Sequence, residues 1–356
     1  SWARVIPEGR GSVNQVGLDF YDKLVDAMLE RGIRPFATLY HWELPAPLAD
    51  LGGWRNPDIA HWFGEFTDVI MRRIGDRMHG VAPINEPWCV AWLSHFDGHH
   101  APGLRDIRAT AHAMHNVLRA HGTDIHIMRG LGMKNLGLVC NFEWSNPADT
   151  TAEAHLAAAR YDAIYNRFFL SGVFKGTYPD LVFDGLGPHM PNYWQDDFGI
   201  IAAPVDWCGL NYYTRKNIGW ADGPWPDCLE IQGPLAKTQV GREVYPKGLF
   251  EFLVRCASEY TVELPLLDTE NGMANADVPY EPDVTRISYL DQHLQQVHKA
   301  LERGVPLKGY VIWSLLDNYE WAHGYEPRFG LVHVDFGTQT RTPKASFHAV
   351  QRFLGS

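Results

Sequence analysis

The sequence predicts an α/β protein whose parallel strands close into a (β/α)8 barrel. Three observations carry that expectation. Short apolar runs alternate strictly with segments of helical periodicity, which implies parallel strands joined by right-handed crossovers. Several of those runs end abruptly in polar side chains, and in such a barrel the carboxyl ends of the strands carry the chemistry. No low-complexity linker divides the 356 residues, so one barrel domain over 1–356 is expected.

Taken in order, residues 1–5 read as the tail of a strand, and Gly9-Arg-Gly11, with no phosphate-binding helix after it, as a turn. Over 17–32, Leu18, Tyr21, Leu24, Val25, Met28 and Leu29 recur at helical spacing and Gly32 supplies a stop. A buried strand follows over 35–40, ending at His41-Trp42-Glu43. Asn56-Pro57 opens a helix that runs to about Met78, with proline in its first turn. Residues 81–84 form a short strand ending at Asn85-Glu86-Pro87.

The alternation continues with a helix over 106–128, a strand over 136–142 and a helix over 152–171. A long Pro- and Gly-rich loop, 172–204, leads to a strand over 205–213, and a second long loop occupies 214–245. Helix 247–260, strand 264–269, helix 284–303, strand 309–315 and helix 343–354 complete the chain, with an aromatic loop over 317–342. That makes six strands and seven helices, where a closed barrel has eight of each. The remainder, the first strand, the first helix and most of the second strand, belongs before residue 6, so an N-terminally incomplete barrel is expected.

Composition narrows the partners. Net charge is −11 and the pI near 5.8, which argues against nucleic acid or an anionic membrane as a partner. No apolar run is long enough for a transmembrane helix, and no signal peptide is visible. The five cysteines, Cys89, Cys140, Cys208, Cys228 and Cys256, are odd in number and form no CxxC pair. A disulfide framework or structural zinc is therefore not expected, and a reducing cytoplasm fits best. The aromatic load of 13 Trp and 15 Tyr suits a core, and flat rings are also surfaces on which sugars pack.

Two strand ends carry carboxylates beside hydrogen-bonding neighbours: Glu86 in Ile-Asn-Glu-Pro and Glu270 in Thr-Glu-Asn-Gly. A barrel brings both to one rim. Paired carboxylates about 5–5.5 Å apart suit retaining glycoside hydrolysis, and about 6.5–9.5 Å suits inversion. Five motifs in register then make a specific pattern: His41-Trp42-Glu43-Leu44-Pro45, Asn85-Glu86-Pro87, Asn211-Tyr212-Tyr213, Thr269-Glu270-Asn271-Gly272 and the stretch from Trp313 to Trp321. His100-Ala-Pro-Gly103, Arg328-Phe-Gly-Leu331 and Arg341-Thr-Pro-Lys344 extend it. Together they resemble the family-1 glycoside hydrolases, the β-glucosidase family, over essentially the whole chain.

The resemblance implies a TIM-barrel β-glycosidase without cofactor or metal that cleaves small β-glycosides or short oligosaccharides. It makes Glu270 the nucleophile and Glu86 the general acid/base. A phenol from Tyr213 donating to Glu270 would favour its charged form, and a nearby negative Glu270 would keep Glu86 protonated until the glycosyl ester forms. By the same resemblance Asn85 contacts the sugar 2-hydroxyl, His41 and Trp42 bond ring hydroxyls, Glu320 and Trp321 bond the far side, and Trp313 is the floor under the ring. Asn211 belongs to the same sugar-binding set. A carboxylate at Glu320 would repel a 6-phosphate, and Glu86, where plant thioglucosidases carry glutamine, points to O-glycosides.

Plainer readings stand beside these. His41 could be a core histidine, Trp313 and Trp321 core aromatics, and Asn211 a strand terminator; Trp2, Trp54, Trp62 and Trp88 are assigned to the core. The histidines of 95–100 lack a second cluster at ligand spacing and are not read as a metal site. His112 and His115 are assigned to a helix surface, and Asp124, Asp149 and the acidic stretch 277–283 to solvent. Two family positions, a glutamine from the first strand and an arginine from the second that contacts the nucleophile, have no counterpart here. Pro83, where relatives usually carry threonine, removes a ladder N–H near Glu86. A catalytically impaired sugar-binding or truncated form, dependent on the missing segment, is the alternative function. Sugar preference among glucose, galactose and fucose, the aglycone and a homo-oligomeric state stay open.

Overall fold

The computed structural model describes residues 1–192, 194–276 and 280–355. Helices α1 (Trp2–Val5) and α2 (Gln15–Leu29) precede strand β1 (Phe36–Tyr40). Helices α3 (Ala46–Asp50) and α4 (Ile59–Ile74) lead to β2 (Gly80–Ile84), α5 (Pro87–His95) and the long α6 (Ile107–Gly130). Strand β3 (Gly137–Pro147) is followed by α7 (Ala152–Asp162), α8 (Phe168–Lys175) and α9 (Phe198–Ile201). The long β4 (Trp207–Trp220) then precedes β5 (Cys228–Ile231) and α10 (Lys247–Cys256). Strand β6 (Leu266–Asn271), α11 (Val284–Glu302), β7 (Leu307–Ile312), β8 (Val332–Val334), β9 (Arg341–Pro343) and α12 (Ala345–Gly355) end the order. From residue 15 onward the alternation read from the sequence is observed, with strands and helices close to their expected places.

Three segments differ from expectation. Residues 2–5 are helical, not strand. Trp2 is fully buried against Phe63 and Phe66, and its indole N–H donates to the Gly9 carbonyl at 3.0 Å. Burying such a ring is worth about 2–3 kcal/mol, enough to override the strand propensity of so short a piece. The loop 172–204 carries short helical turns and α9. In the second long loop, β4 runs on to Trp220 and turns back on β5 in antiparallel register, from Asn217↔Ile231 to Trp220↔Cys228.

Contacts group residues 1–141 and 163–209 into one compact unit, and 142–162 and 210–356 into another. In the first, β1 and β2 pair in parallel from Phe36↔Gly80 to Tyr40↔Ile84. Parallel bridges Val81↔Leu136 and Asn85↔Val139 add the start of β3. Pro83 does not break this: the Asn85 N–H still reaches the Tyr40 carbonyl at 3.0 Å and the Glu86 N–H the Val139 carbonyl at 3.1 Å. Helix α6 starts where the Asp106 carboxylate accepts from the Ala109 N–H at 2.7 Å, an N-cap. Its alanines pack closely on neighbouring helices.

Because α6 is enclosed on several sides, two residues assigned to the surface are buried instead. Asp124 is fully buried, accepts from Thr67 Oγ1 at 3.0 Å and is held well above the usual carboxylate range by burial. His115, also fully buried, contacts the Tyr178 hydroxyl at 2.8 Å and Asp197 at 2.9 Å. Trp2, Trp54, Trp62 and Trp88 are core residues as expected.

In the second unit the strands run in the order β3-β4-β6-β7, with β6 and β7 parallel from Leu266↔Leu307 to Asn271↔Ile312. Met273, Tyr289, Leu290 and Leu331 form a core cluster there. Asp317 anchors the aromatic loop: its buried carboxylate takes bonds from Lys344, Arg328 and the N–H groups of Gly330 and Val334. Of the acidic stretch, 277–279 lie outside the described residues. Asp283 is not solvated; it is buried and bonded to Arg286 at 2.7 Å and to Ser346. Asp149 is exposed, as expected, and bonds the Thr151 N–H at 2.8 Å.

Candidate active site

The first unit brings four of the sequence-predicted residues to the ends of two adjacent strands. His41 and Trp42 follow β1, and Asn85 and Glu86 follow β2. The Trp42 indole N–H donates to the Asn85 carbonyl at 2.9 Å, and the Asn85 amide lies 3.2 Å from His41 Nε2. An amide N–H can only donate, so Nε2 accepts and the neutral ring carries its proton on Nδ1. Burial pushes the His41 imidazole down to about 4, which keeps it neutral in the physiological range.

Glu86 is 5% exposed and stands at the N-cap position of α5 without a side-chain capping bond, with Pro87 in the first turn of that helix. The Cys89 thiol, one helical turn on, donates to Glu86 Oε2 at 3.0 Å, and the Asn141 amide reaches Cys89 Sγ at 3.5 Å. Cys89 was not among the residues singled out by sequence, although its i+3 spacing from Glu86 on a helix was a readable signal.

In the second unit, Asn211 and Tyr213 lie on β4, Glu270 near the end of β6, Trp313 directly after β7, and Glu320 and Trp321 in the aromatic loop. The Tyr213 phenol donates to Glu270 Oε2 at 2.7 Å, the bond anticipated from the sequence. Thr269 Oγ1 donates to Asn211 Oδ1 at 2.6 Å. Asn271 is clamped by its amide to the Tyr212 carbonyl at 2.6 Å and by its Oδ1 to the Tyr310 hydroxyl at 2.5 Å. These bonds tie the segment around Glu270 to β4 and β7. Glycine is required at 272, because a Cβ there would fall 1.8 Å from the Trp313 carbonyl oxygen. Glu320 Oε2 accepts from the Asn318 amide at 3.1 Å.

Trp42, Glu86 and Trp321 adopt positive φ, at 77°, 50° and 46°. Non-glycine residues seldom do so, and such strain concentrates where side chains are aimed for function. Asp268, one residue pair before Glu270 on β6, is fully buried and held well above the ordinary carboxylate range by burial. The Glu270 N–H acts in the opposite direction, favouring the charged form, but burial outweighs it. Among the described residues no cluster of three or more His, Cys, Asp or Glu side chains could hold a metal, and no helix is long and apolar enough to cross a membrane.

Comparison with known proteins agrees with this architecture. The family model for glycosyl hydrolase family 1 matches residues 1–354. A 1,4-beta-D-glucan glucohydrolase of Thermotoga neapolitana is 42% identical over 353 residues, covering 97% of this chain and 79% of the relative. A beta-glucosidase of Agrobacterium is 43% identical over 362 residues, covering 97% and 77%. The solved family 1 β-glucosidase of Thermotoga maritima superposes with a TM-score of 0.96 at 40% identity, covering all of this chain and 81% of that one. Fold and likeness define an O-glycosyl hydrolase built on a TIM barrel. The chain belongs to glycosyl hydrolase family 1.

Proposed function

We propose that this chain hydrolyses terminal, non-reducing β-D-glucosyl residues of small glycosides by a retaining double displacement, with Glu270 as nucleophile and Glu86 as general acid/base. The reading is carried by the Tyr213 phenol bonded to Glu270 near the end of β6, in a chain that matches the family over residues 1–354. In the first step a Glu270 oxygen attacks C1 while Glu86 gives its proton to the departing glycosidic oxygen. The products are a glycosyl ester and a free alcohol. In the second, Glu86 takes a proton from water, the water oxygen attacks C1, and the Glu270 carboxylate is released with net retention.

The remaining site residues hold the sugar. His41, Trp42, Asn85 and Asn211 bond its hydroxyls, Trp313 lies under the ring, and Glu320 with Trp321 bonds the outer hydroxyls and disfavours a 6-phosphate. The relatives compared are named for glycoside hydrolysis, which weighs against a sugar-binding form without catalysis. A solved complex of the Thermotoga maritima enzyme with castanospermine, at 40% identity, supports small sugar-like ligands. Among the described residues no disulfide joins the five cysteines, which fits a reducing, cytoplasmic setting.

Two measurements test the roles. The protein is expected to turn over a chromogenic aryl β-glucoside, and Glu270→Gly to lose that turnover and recover it with azide, forming the α-glycosyl azide. Failure of azide to restore product would reject the nucleophile assignment. Glu86→Ala should lose least on substrates with good leaving groups; an equal loss on all would reject the acid role.

A further inference from the structure

The turn that follows β5 brings a cation onto the tyrosine that holds Glu270. Arg242 is half-buried, and its guanidinium carbon lies 4.8 Å from the centre of the Tyr213 ring. The same phenol donates to Glu270 Oε2 at 2.7 Å. Cation, ring and carboxylate therefore form a continuous series.

That placement is built, not incidental. The next residue, Glu243, is 5% exposed and accepts from Arg215 Nε at 2.7 Å and from the Leu235 N–H at 2.8 Å. Thr214 Oγ1 donates to the Glu243 carbonyl at 2.8 Å, and the Thr238 N–H donates to the Arg242 carbonyl at 2.9 Å. Thr214 and Arg215 are the two residues directly after Tyr213 on β4. The turn is thus pinned to the strand that carries the phenol, in the register that sets Arg242 over it.

We propose that Arg242 is a positioning residue for the nucleophile: its guanidinium orients the Tyr213 phenol and strengthens the bond that keeps Glu270 charged. This rests on the reading of Glu270 as nucleophile. A cation on the face of an aromatic ring is attracted by the ring's quadrupole, which restrains the side chain. The same cation draws electron density from the phenol, so its O–H becomes a stronger donor toward a carboxylate.

The surrounding groups do not supply this charge. Burial pushes Asp268 on β6, Tyr289 on α11 and Tyr310 on β7 up from their ordinary values, and none of the three is a cation in either form. Lys216 is paired with Glu230 and Arg215 with Glu243. The charge of Arg242 is also felt at Tyr289, whose hydroxyl donates to the Tyr213 carbonyl at 3.2 Å.

The test compares Arg242→Met, Arg242→Gln and Arg242→Lys with the parent protein, using kcat/KM against pH for an aryl β-glucoside. Thermal unfolding checks the fold of each. A 2-deoxy-2-fluoro-β-glucosyl fluoride, which traps the glycosyl ester, locates the labelled residue by peptide mapping. Loss of the cation should move the acid limb up by about half to one pH unit in the Met and Gln variants. Lys should keep the limb near that of the parent. A label on Glu270 with an unmoved limb in Met and Gln overturns the inference alone, as does an equal shift in Lys, which would mean packing and not charge. A label on another residue overturns the nucleophile reading and the inference with it.

Discussion

Tyr213→Phe removes one oxygen and leaves the ring, so it isolates the bond to Glu270. The bond is 2.7 Å long and its acceptor is a carboxylate, a charge-assisted geometry. Hydrogen bonds to charged groups contribute about 1.5–3 kcal/mol, equivalent to about one to two pK units on the acceptor. Glu270 is only half-buried, so water replaces part of the loss and the lower end applies. The acid limb of kcat/KM should therefore rise by about one pH unit, and kcat/KM near neutrality should fall about tenfold or more as transition-state stabilisation is lost. The backbone carbonyl of Tyr213 still accepts from Tyr289, and the ring keeps its edge contact with Phe329 at 6.2 Å, so unfolding should change little. Steady-state kinetics over pH 4–9 with an aryl β-glucoside would read both effects. A variant within about twofold of the parent, with an unmoved acid limb, would refute the argument that this phenol sustains the charge on Glu270.

Three other outcomes are expected. His41, His95, His121 and His293 are pushed by burial from 6.5 to about 4, so the unfolded chain takes up more protons between those values. Stability should be fully present above pH 6.5 and fall as pH drops toward 4, by about 3 kcal/mol per histidine, with a shallower slope in His121→Leu; urea unfolding that stays level from pH 7 to 4.5 would contradict this. Asp268 is raised above 3.8 in the folded state, so the contribution of its neutral form is lost as pH rises. Asp268→Asn should thus gain about 1 kcal/mol or more over the parent at pH 8 and little at pH 4; equal effects at both would count against a buried neutral acid. Gly272→Ala forces a methyl to 1.8 Å from the Trp313 carbonyl oxygen, and should cost about 1–3 kcal/mol or more together with activity. Parent-like stability and turnover would show that the β6–Trp313 contact can relax.

The strand ends were readable because each is a local event, an apolar run that stops at a polar residue. That pattern located His41, Trp42, Asn85, Glu86 and Glu270 without knowledge of their neighbours. Burial of individual polar residues was not readable in the same way. Asp124 reads as a solvated carboxylate until Thr67, 57 positions away, meets it inside the α4–α6 contact. His115 depends on Tyr178 and Asp197, at separations of 63 and 82 positions. Asp283 depends in part on Ser346, 63 positions on.

The sequence by itself determined the α/β alternation, the strand ends and the family, because periodicity and ordered motifs survive in one dimension. Only tertiary structure decided that residues 2–5 are helical, since Trp2 gains more from Phe63 and Phe66 than the strand pattern supplies. It also decided what stands behind Glu270. The phenol of Tyr213 comes from 57 positions away, and Arg242 reaches that phenol only because Thr214 and Arg215 hold the turn that carries it. Such contacts join residues far apart in the chain, and the charge they stabilise depends on distances that no local pattern encodes.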